Sequence, residues 1–145
     1  MKKENCLFCN LANGVFATNS VYEDENFNVI LDIAPAAKGH CIVLPKEHFD
    51  NALTADPEIL GKAMAVAAKT GNALMKAYNC QGINIVQNNG EAAGQTIFHF
   101  HLHLTPRYAE GNDETLLAAK PGEIEADELV ELKNLMQLYM TILFT

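Results

Sequence analysis

Apolar and polar positions along the chain divide it into short apolar runs and two long helical patterns. The short runs predict four strands, bounded by glycine, proline or polar turn residues. They cover residues 27–32, 40–45, 83–88 and 98–105. The last strand is expected to end before Pro106, because proline cannot donate a hydrogen bond to a neighbouring strand.

The clearest helix is predicted over residues 57–78. Asp56 is a suitable N-cap, and Pro57 stands at the first helical position, where its missing N–H breaks no helical hydrogen bond. Apolar and small residues then recur at helical spacing, which predicts one buried stripe. The stripe consists of Leu60, Met64, Ala67, Gly71, Leu74, Met75 and Tyr78.

Two further helices are predicted. A short one covers residues 6–13 and ends at Gly14, a common residue after a helix C-terminus. A final amphipathic helix covers residues 126–143, after a weak loop or partial helix over residues 113–121. Its apolar side carries Leu129, Leu132, Met136, Tyr139 and Leu143. Because the elements do not follow a regular βαβ order, the pattern favours an α+β fold with a mainly antiparallel sheet.

Composition limits the partners. The 145 residues fit a single domain, residues 1–145, and an apolar content of 49% is enough for one core. The formal net charge of −8 argues against DNA or RNA, whose binding depends on Lys and Arg, but allows a small phosphate ligand. Four cysteines in a chain of this size need not form disulfides. Without an apolar span or a signal core, we expect a cytoplasmic protein with no membrane segment.

The strand of residues 98–105 carries three of the five histidines. His99, His101 and His103 alternate with apolar residues, and a period of two places all three imidazoles on one face of a strand. Two alternatives to a catalytic face remain, namely an exposed polar face and a zinc site with three histidine ligands. The opposite face is expected to enter the core with Phe98, Phe100, Leu102 and Leu104.

A loop of small polar residues precedes these histidines. Residues 88–96 include Gly90 and Gly94, which let backbone N–H groups approach an anion closely, and Thr96 adds a hydroxyl donor. A plain turn is the commoner explanation of such a loop alone. Next to aligned histidines, it predicts a phosphate-binding site beside a nucleophile.

Cys6 and Cys9 form a CxxC pair, for which three roles are open: a zinc half-site, a redox pair, or two unconnected thiols. A redox pair is expected in a thioredoxin-like βαβ context, which the pattern of elements lacks. A zinc site needs two more ligands, and histidines are the nearest candidates by type.

Together these motifs resemble the histidine triad (HIT) family, in its bacterial form with an N-terminal CxxC. They occur in order over about residues 6–108, whereas the tail, residues 109–145, is variable in the family. The resemblance implies a HIT-like fold with about five antiparallel strands, one long helix, a short N-terminal helix and a C-terminal helix, and it implies a homodimer. The matching motifs are residues 31–35, 39–48, Gly94-Gln95-Thr96 and 99–105.

The resemblance also implies a role for each matching residue. His101 would attack the α-phosphorus of a nucleotide and form a covalent nucleotidyl-histidine, with its other ring nitrogen oriented by a backbone carbonyl. His103 would contact the phosphate or the leaving-group oxygen, and His40 would support the charge. Asp32 would accept hydrogen bonds from the ribose hydroxyls. Phosphate oxygens would contact Asn88, Gly94, Gln95 and Thr96. The base would lie among Leu7, Phe8, Leu11, Ile30 and Ile42.

In bacterial relatives two histidines complete the CxxC, so the resemblance implies a structural zinc held by Cys6, Cys9, His48 and His99. The implied function is a nucleotide hydrolase or transferase. Its substrate would be a dinucleoside polyphosphate, a nucleoside phosphoramidate or an adenylate. Two other classes remain open: a nucleotide-binding sensor with weak catalysis, and a zinc-dependent hydrolase that uses the triad as metal ligands.

Overall fold

The computed structural model describes residues 2–109 and 123–144, which form three α-helices and five β-strands. In chain order these are α1 (Leu7–Ala12), β1 (Ser20–Glu23), β2 (Phe27–Leu31), β3 (Cys41–Pro45), α2 (Pro57–Tyr78), β4 (Gly82–Val86), β5 (Leu102–Arg107) and α3 (Ala126–Phe144). The strands form one antiparallel sheet in the order β1-β2-β3-β5-β4, which confirms the predicted α+β fold. The predicted loop at residues 113–121 lies outside the described residues.

Helices cover both faces of the sheet. α2 and α3 pack over one face, where the larger core cluster includes Val29 and Leu31 of β2. α1 lies on the other face, over a smaller cluster that includes Phe8, Ile30 and Ile42. Since successive strand residues point to opposite faces, all five residues of β2 are buried. α1 has only six residues, so part of its face stays open to a ligand.

α2 begins and ends where the sequence predicts. The Asp56 carboxylate accepts a hydrogen bond from the Glu58 N–H at 2.8 Å, and Pro57 is the first helical residue. Asn79 ends the helix in the left-handed conformation, with φ of 53°. The cap and the proline are strong local signals because of the unpaired N–H groups at a helix start. The Asp56 side chain accepts a hydrogen bond from one such N–H, and Pro57 has no N–H to leave unpaired.

The buried face of α2 is rotated relative to the predicted stripe. Met64 and Met75 are exposed, so their prediction as core residues is wrong. Small residues let the helix approach the sheet closely, since a Cβ on Gly71 would lie 3.8 Å from the side chains of Ile83 and Leu104. The buried residues of the helix are Ala63, Val66, Ala67, Thr70, Gly71, Ala73 and Leu74.

Two strands differ from the predicted ones. β1 is absent from the prediction because four residues show too little alternation to stand out. β5 begins at Leu102 instead of residue 98, and it continues through Pro106 instead of ending before it. β3 pairs only with residues 102–104 of β5, so Pro106 lies where β5 has one neighbouring strand. A proline at such a position does not interrupt a ladder on both sides.

α3 confirms the predicted apolar side. Leu129, Leu132 and Met136 are buried, and Tyr139 and Leu143 pack partly buried against the same core. α3 also contacts β1, where the Gln137 amide donates to the Ser20 carbonyl at 2.8 Å. No helix within residues 2–109 and 123–144 is long and apolar enough to cross a membrane.

The close contact between Gly39 and Tyr78 generates a stability prediction. Gly39 has φ of +89°, and a Cβ there would lie 2.6 Å from Tyr78 Cε2. The ring cannot swing away freely, because the Tyr78 hydroxyl donates to the Leu132 carbonyl at 2.9 Å. Gly39→Ala therefore combines backbone strain with a clash, whereas Gly14→Ala, with φ of +76° and no neighbour within 4 Å, adds strain alone.

We expect Gly39→Ala to lower the free energy of unfolding by about 1–3 kcal/mol more than Gly14→Ala does. Urea denaturation of both variants measures the difference. Equal losses would mean that the contact with Tyr78 carries no cost.

Candidate functional site

A pocket of about 530 Å³ opens on the face of the sheet that carries α1. It brings together most of the predicted nucleotide-binding and catalytic residues. Its lining includes Leu7, Phe8, Leu11, Ile30, Asp32, Ile42, Thr96, His101 and His103. Other lining residues were not expected from the sequence, namely Ala17, Thr18, Asn19, Leu31, Ile33 and Ile97. Residues 17–19 lead into β1. Because the sequence pattern does not predict β1, it also does not predict this part of the pocket wall.

His101 is held by a short backbone hydrogen bond. Its Nδ1–H donates to the His99 carbonyl at 2.6 Å, which assigns the proton to Nδ1 and leaves the lone pair on Nε2. The ring of Phe8 meets the His101 ring edge-on, with centroids 4.8 Å apart. Burial lowers the pKa of His101 to about 4. The residue is therefore a neutral imidazole with an available nucleophilic nitrogen in the pocket.

A chain of hydrogen bonds also determines which ring nitrogen of His103 carries the proton. The Ala36 N–H donates to His40 Nδ1 at 3.0 Å, so that nitrogen carries no proton. The proton of neutral His40 is then on Nε2, which donates to His103 Nδ1 at 2.9 Å. His103 in turn keeps its proton on Nε2. Burial lowers the pKa of His40, and it lowers the pKa of His103 to about 4, so both rings are neutral at neutral pH.

Asp32 is the carboxylate that faces this chain. One oxygen, Oδ1, accepts the Ala34 N–H at 2.8 Å, which fixes the turn after β2. The other, Oδ2, lies 3.7 Å from His40 Nε2. Asp32 lines the pocket and is partly exposed, so Oδ2 can accept a hydrogen bond from a ligand. His40 is buried behind it and does not line the pocket.

The predicted phosphate loop is built around two glycines with positive φ. Gly90 has φ of 90° and Gly94 has φ of 93°, and a 3-10 turn, Glu91–Ala93, joins them. Both values favour glycine, since side chains are strained there. The Asn88 side chain packs against Gly94, where an added Cβ would lie 3.6 Å from Asn88 Nδ2. Thr96 follows the loop and lines the pocket.

Gln95 is buried and holds this loop from inside. Its Oε1 accepts the Gly90 N–H at 2.8 Å, and its Nε2 donates to the carbonyls of Asp50 at 2.6 Å and Ile97 at 3.1 Å. Both ends of the amide are therefore used within the protein. The contact of Gln95 with a phosphate stays a prediction, and so do the contacts of Asn88 and Gly94, since none of the three lines the pocket.

His99 lies in different surroundings from the other two histidines. It precedes β5, is fully buried and is absent from the pocket lining, but its ring faces α1, as the ring of His101 does, since both meet the ring of Phe8. Of the three histidines only His103 lies within β5, so the predicted strand begins too early, and Phe98, predicted to be a core residue, is 47% exposed. The chain is not extended in the sheet until Leu102, and the His101–His99 hydrogen bond lies within this irregular stretch.

His99 instead belongs to a cluster with Cys6, Cys9 and His48. The donor atoms of these four residues all lie within 4.8 Å of one another. His99 Nδ1 is 3.5 Å from Cys6 Sγ and 3.4 Å from Cys9 Sγ, and His48 Nδ1 is 3.4 Å from Cys9 Sγ. The fold thus assembles the four predicted zinc ligands from α1 and its N-cap, the end of β3 and the segment before β5.

The protons on these histidines suit a metal ion. His48 Nε2 donates to Asp50 Oδ1 at 2.9 Å, and His99 Nε2 donates to the Pro45 carbonyl at 2.8 Å. Each Nδ1 lone pair therefore faces the two sulfurs, and the outer nitrogens have the partners that metal-binding histidines usually have. Two thiols and two imidazoles form a donor set that fits tetrahedral zinc.

A second group of candidate metal ligands, Asp32, His40 and His103, fits a metal less well. His40 Nδ1 already accepts the Ala36 N–H, so a metal on Nε2 would force a proton onto Nδ1 and break that bond. The geometry favours hydrogen bonding in this group over metal binding.

Comparison with known proteins identifies the family of this chain. A family model described as the HIT domain matches residues 13–110. The chain belongs to the HIT family. HIT proteins are nucleotide-binding hydrolases and transferases, and the resemblance noted from the motifs is confirmed. A relative from Arabidopsis thaliana, named an adenylylsulfatase, is 34% identical over 105 residues, which are 72% of this chain and 53% of that protein.

Solved structures confirm the HIT-like fold. A hypothetical histidine triad nucleotide-binding protein from Sulfolobus tokodaii matches with a TM-score of 0.85 and 33% identity, covering 95% of this chain and 93% of that one. A Zn-bound histidine triad family protein from Mycobacterium smegmatis matches with a TM-score of 0.83 and 34% identity, covering 97% and 96%.

The hydrogen bonds of this HIT site predict which nitrogen carries the proton in His101, His40 and His103. In protein with ¹⁵N-labelled histidine, His101 should be the Nδ1–H tautomer, and His40 and His103 should be Nε2–H tautomers. Because burial lowers the pKa of His103 to about 4, its ring should stay neutral as the pH falls from 7 to about 5. A proton on Nε2 of His101, or titration of His103 near its ordinary pKa, would contradict the arrangement.

Proposed function

We propose that this HIT protein hydrolyses or transfers the nucleotidyl group of a nucleotide conjugate, with His101 as the nucleophile. The observation that carries the proposal is the hydrogen bond from His101 Nδ1 to the His99 carbonyl. It leaves a neutral Nε2 in a pocket that also contains a carboxylate, Asp32, and a hydroxyl, Thr96. This combination fits a nucleoside and a phosphate in adjacent parts of one site.

The pocket supports nucleoside binding at its apolar end. Side chains from α1, β2 and β3 supply a hydrophobic wall for a base, and Asp32 Oδ2 accepts hydrogen bonds from ribose hydroxyls. The α-phosphate then lies between this wall and the loop that ends at Thr96. The wall consists of Leu7, Phe8, Leu11, Ile30 and Ile42.

The reaction has two steps, the formation of a nucleotidyl-histidine and its breakdown. Nε2 of His101 forms a bond to the α-phosphorus, the bond from phosphorus to the leaving group breaks, and the leaving group takes the electron pair. His103 Nε2–H donates a hydrogen bond to the leaving atom or to a phosphoryl oxygen. The His101 ring becomes positively charged, and its Nδ1–H bond to the His99 carbonyl strengthens. Water or another acceptor then forms a bond to phosphorus and loses a proton to the leaving group or to solvent, while the bond from phosphorus to His101 Nε2 breaks and its electron pair returns to Nε2.

Candidate substrates are dinucleoside polyphosphates, nucleoside phosphoramidates and adenylates. Each presents a nucleoside, an α-phosphate and a leaving group. The relative from Arabidopsis thaliana is named an adenylylsulfatase, and this name supports an adenylate as the substrate. The net charge of −8 supports a small nucleotide over a nucleic acid polymer.

We also propose that Cys6, Cys9, His48 and His99 bind a structural zinc ion. When bound, zinc would cross-link α1, the end of β3 and the segment before β5, and so stabilise the fold. His101 and His103 lie outside this cluster, so catalysis does not pass through the metal. The same separation argues against a hydrolase with the triad as metal ligands. The reduced thiols that the cluster needs favour a cytoplasmic location.

A homodimer is the proposed assembly. β4 pairs only with β5 in the described sheet, so one edge of β4 is open to a second copy. Ile85 of β4 and Met64 and Met75 of α2 are large exposed apolar residues that a partner would cover.

His101→Ala should reduce turnover of adenosine conjugates by at least about a thousandfold, since it removes the covalent step. AMP binding should be retained, which also shows that the variant is folded. Mass spectrometry of quenched reactions should show a nucleotidyl adduct on the native protein and none on the variant. Activity above about a tenth of the native value would exclude His101 as the nucleophile.

Elemental analysis of protein purified without chelator should give one zinc ion per chain. Cys6→Ser should lose zinc and thermal stability, while the chemical rate per folded enzyme falls less, because the metal does not contact the reacting atoms. Cys80→Ser is the matched control, since Cys80 is a buried free cysteine outside the cluster. Zinc-free native protein, together with a fully stable Cys6→Ser variant, would show that the CxxC is a pair of ordinary thiols.

A further inference from the structure

Residues 49–52 directly follow the metal-cluster ligand His48, and we name them the linking segment. Three hydrogen bonds join it to the active site. The Phe100 N–H, between His99 and His101, donates to the Phe49 carbonyl at 2.7 Å. Gln95 Nε2 donates to the Asp50 carbonyl at 2.6 Å. The Ala52 N–H donates to Asn89 Oδ1 at 2.9 Å. The segment therefore contacts both the histidine strand and the phosphate loop.

Asp50 makes contacts in two directions. Its carboxylate accepts the His48 Nε2–H at 2.9 Å, and its backbone carbonyl accepts the Gln95 amide. One residue thus contacts a metal-cluster histidine through its side chain and the phosphate loop through its main chain.

Gln95 completes the connection. It is only 3% exposed, and its Oε1 accepts the Gly90 N–H at the first glycine of the loop. The Gln95 N–H also donates to the Gly90 carbonyl at 3.0 Å, so the loop is closed by two bonds between the same residues. A shift of the Asp50 carbonyl would leave the Gln95 amide without its shortest bond. Because Gln95 is buried, that loss would not be fully replaced by water.

We infer that Asp50 and Gln95 are positioning residues that couple metal binding at Cys6, Cys9, His48 and His99 to phosphate binding by the loop of residues 88–96. This inference rests on the proposed nucleotide and zinc sites. A metal ion on His48 holds the linking segment, and the segment holds the loop that ends at Thr96, the residue of the loop that lines the pocket. The coupling is reciprocal. Bound zinc raises the affinity of the loop for phosphate by some factor, and bound phosphate raises the affinity of the cluster for zinc by the same factor.

The first test needs no nucleotide. Amide hydrogen exchange is compared in zinc-loaded and chelator-treated protein. On metal removal, protection of the Gly90 and Gln95 amides should fall, while amides of β2 and β3 in the sheet keep theirs. Unchanged protection of the loop would overturn the inference. Equal loss in the sheet would also count against it, because it would show general unfolding instead of a connection to the loop.

The second test uses zinc-loaded variants. Gln95→Met keeps a side chain of similar length and removes both amide hydrogen bonds. The dissociation constant for AMP should rise at least about fivefold, and that for adenosine, which has no phosphate, should not change. In native protein, AMP should slow zinc transfer to a chromophoric chelator and raise zinc affinity by the corresponding factor. In Gln95→Met this effect of AMP should disappear.

Glu91→Gln is the matched control, since Glu91 is exposed in the same loop and outside the connection. It should retain the native coupling between AMP and zinc. If Gln95→Met also retains that coupling, or loses adenosine affinity as much as AMP affinity, the positioning role is excluded. If native protein binds neither AMP nor adenosine, the proposed function fails, and hydrogen exchange still decides whether metal cluster and loop are connected.

Discussion

The hydrogen bond between the His101 ring and the His99 carbonyl is the interaction on which the site depends. It determines the tautomer of the proposed nucleophile, and it comes from a residue whose own ring faces two cysteines. The side chain of His99 therefore belongs to the candidate metal cluster, and its main chain belongs to the candidate active site. Any movement that accommodates a metal on the ring of His99 is transmitted to His101 through the covalent bonds from the His99 ring to its carbonyl oxygen and one hydrogen bond.

The electrostatics of the pocket follow from burial and from the absence of formal positive charge. Among the described residues that line the pocket, none is Lys or Arg, and the histidines are neutral because burial lowers their pKa. Phosphate in the ground state would meet only neutral N–H and hydroxyl donors. In the proposed reaction a full positive charge would arise on His101 when it bonds to phosphorus, beside the carbonyl of His99 and near Asp32. Stabilisation that appears only during the reaction contributes to rate instead of to substrate binding.

Local patterns in the sequence predict local structure well, and long-range main-chain contacts less well. The cap at Asp56, the proline after it and the CxxC spacing act within a few residues, so they can be recognised directly. The period-two pattern of the histidines is correct as a sequence observation, but only His101 and His103 line the pocket, because the ring of His99 lies against Cys6 and Cys9. The contacts of Asp50 and Gln95 depend on a backbone carbonyl that the fold brings to the loop. Residue type and spacing carry no signal for such a contact.

The shortness of α1 has a consequence for which molecules the protein can distinguish. A helix of six residues is far below the length of about 12–15 residues at which isolated helices become even marginally stable in water. α1 nevertheless supplies Leu7, Phe8 and Leu11, which form one wall of the pocket, and its N-cap is Cys6. The order of this wall is therefore set by contacts outside the helix, namely the packing of Phe8 and Ala12 against β2 and β3 and the cysteine–histidine cluster. If the cluster binds zinc, selectivity among bases would depend in part on the supply of metal, although none of the four cluster residues lines the pocket.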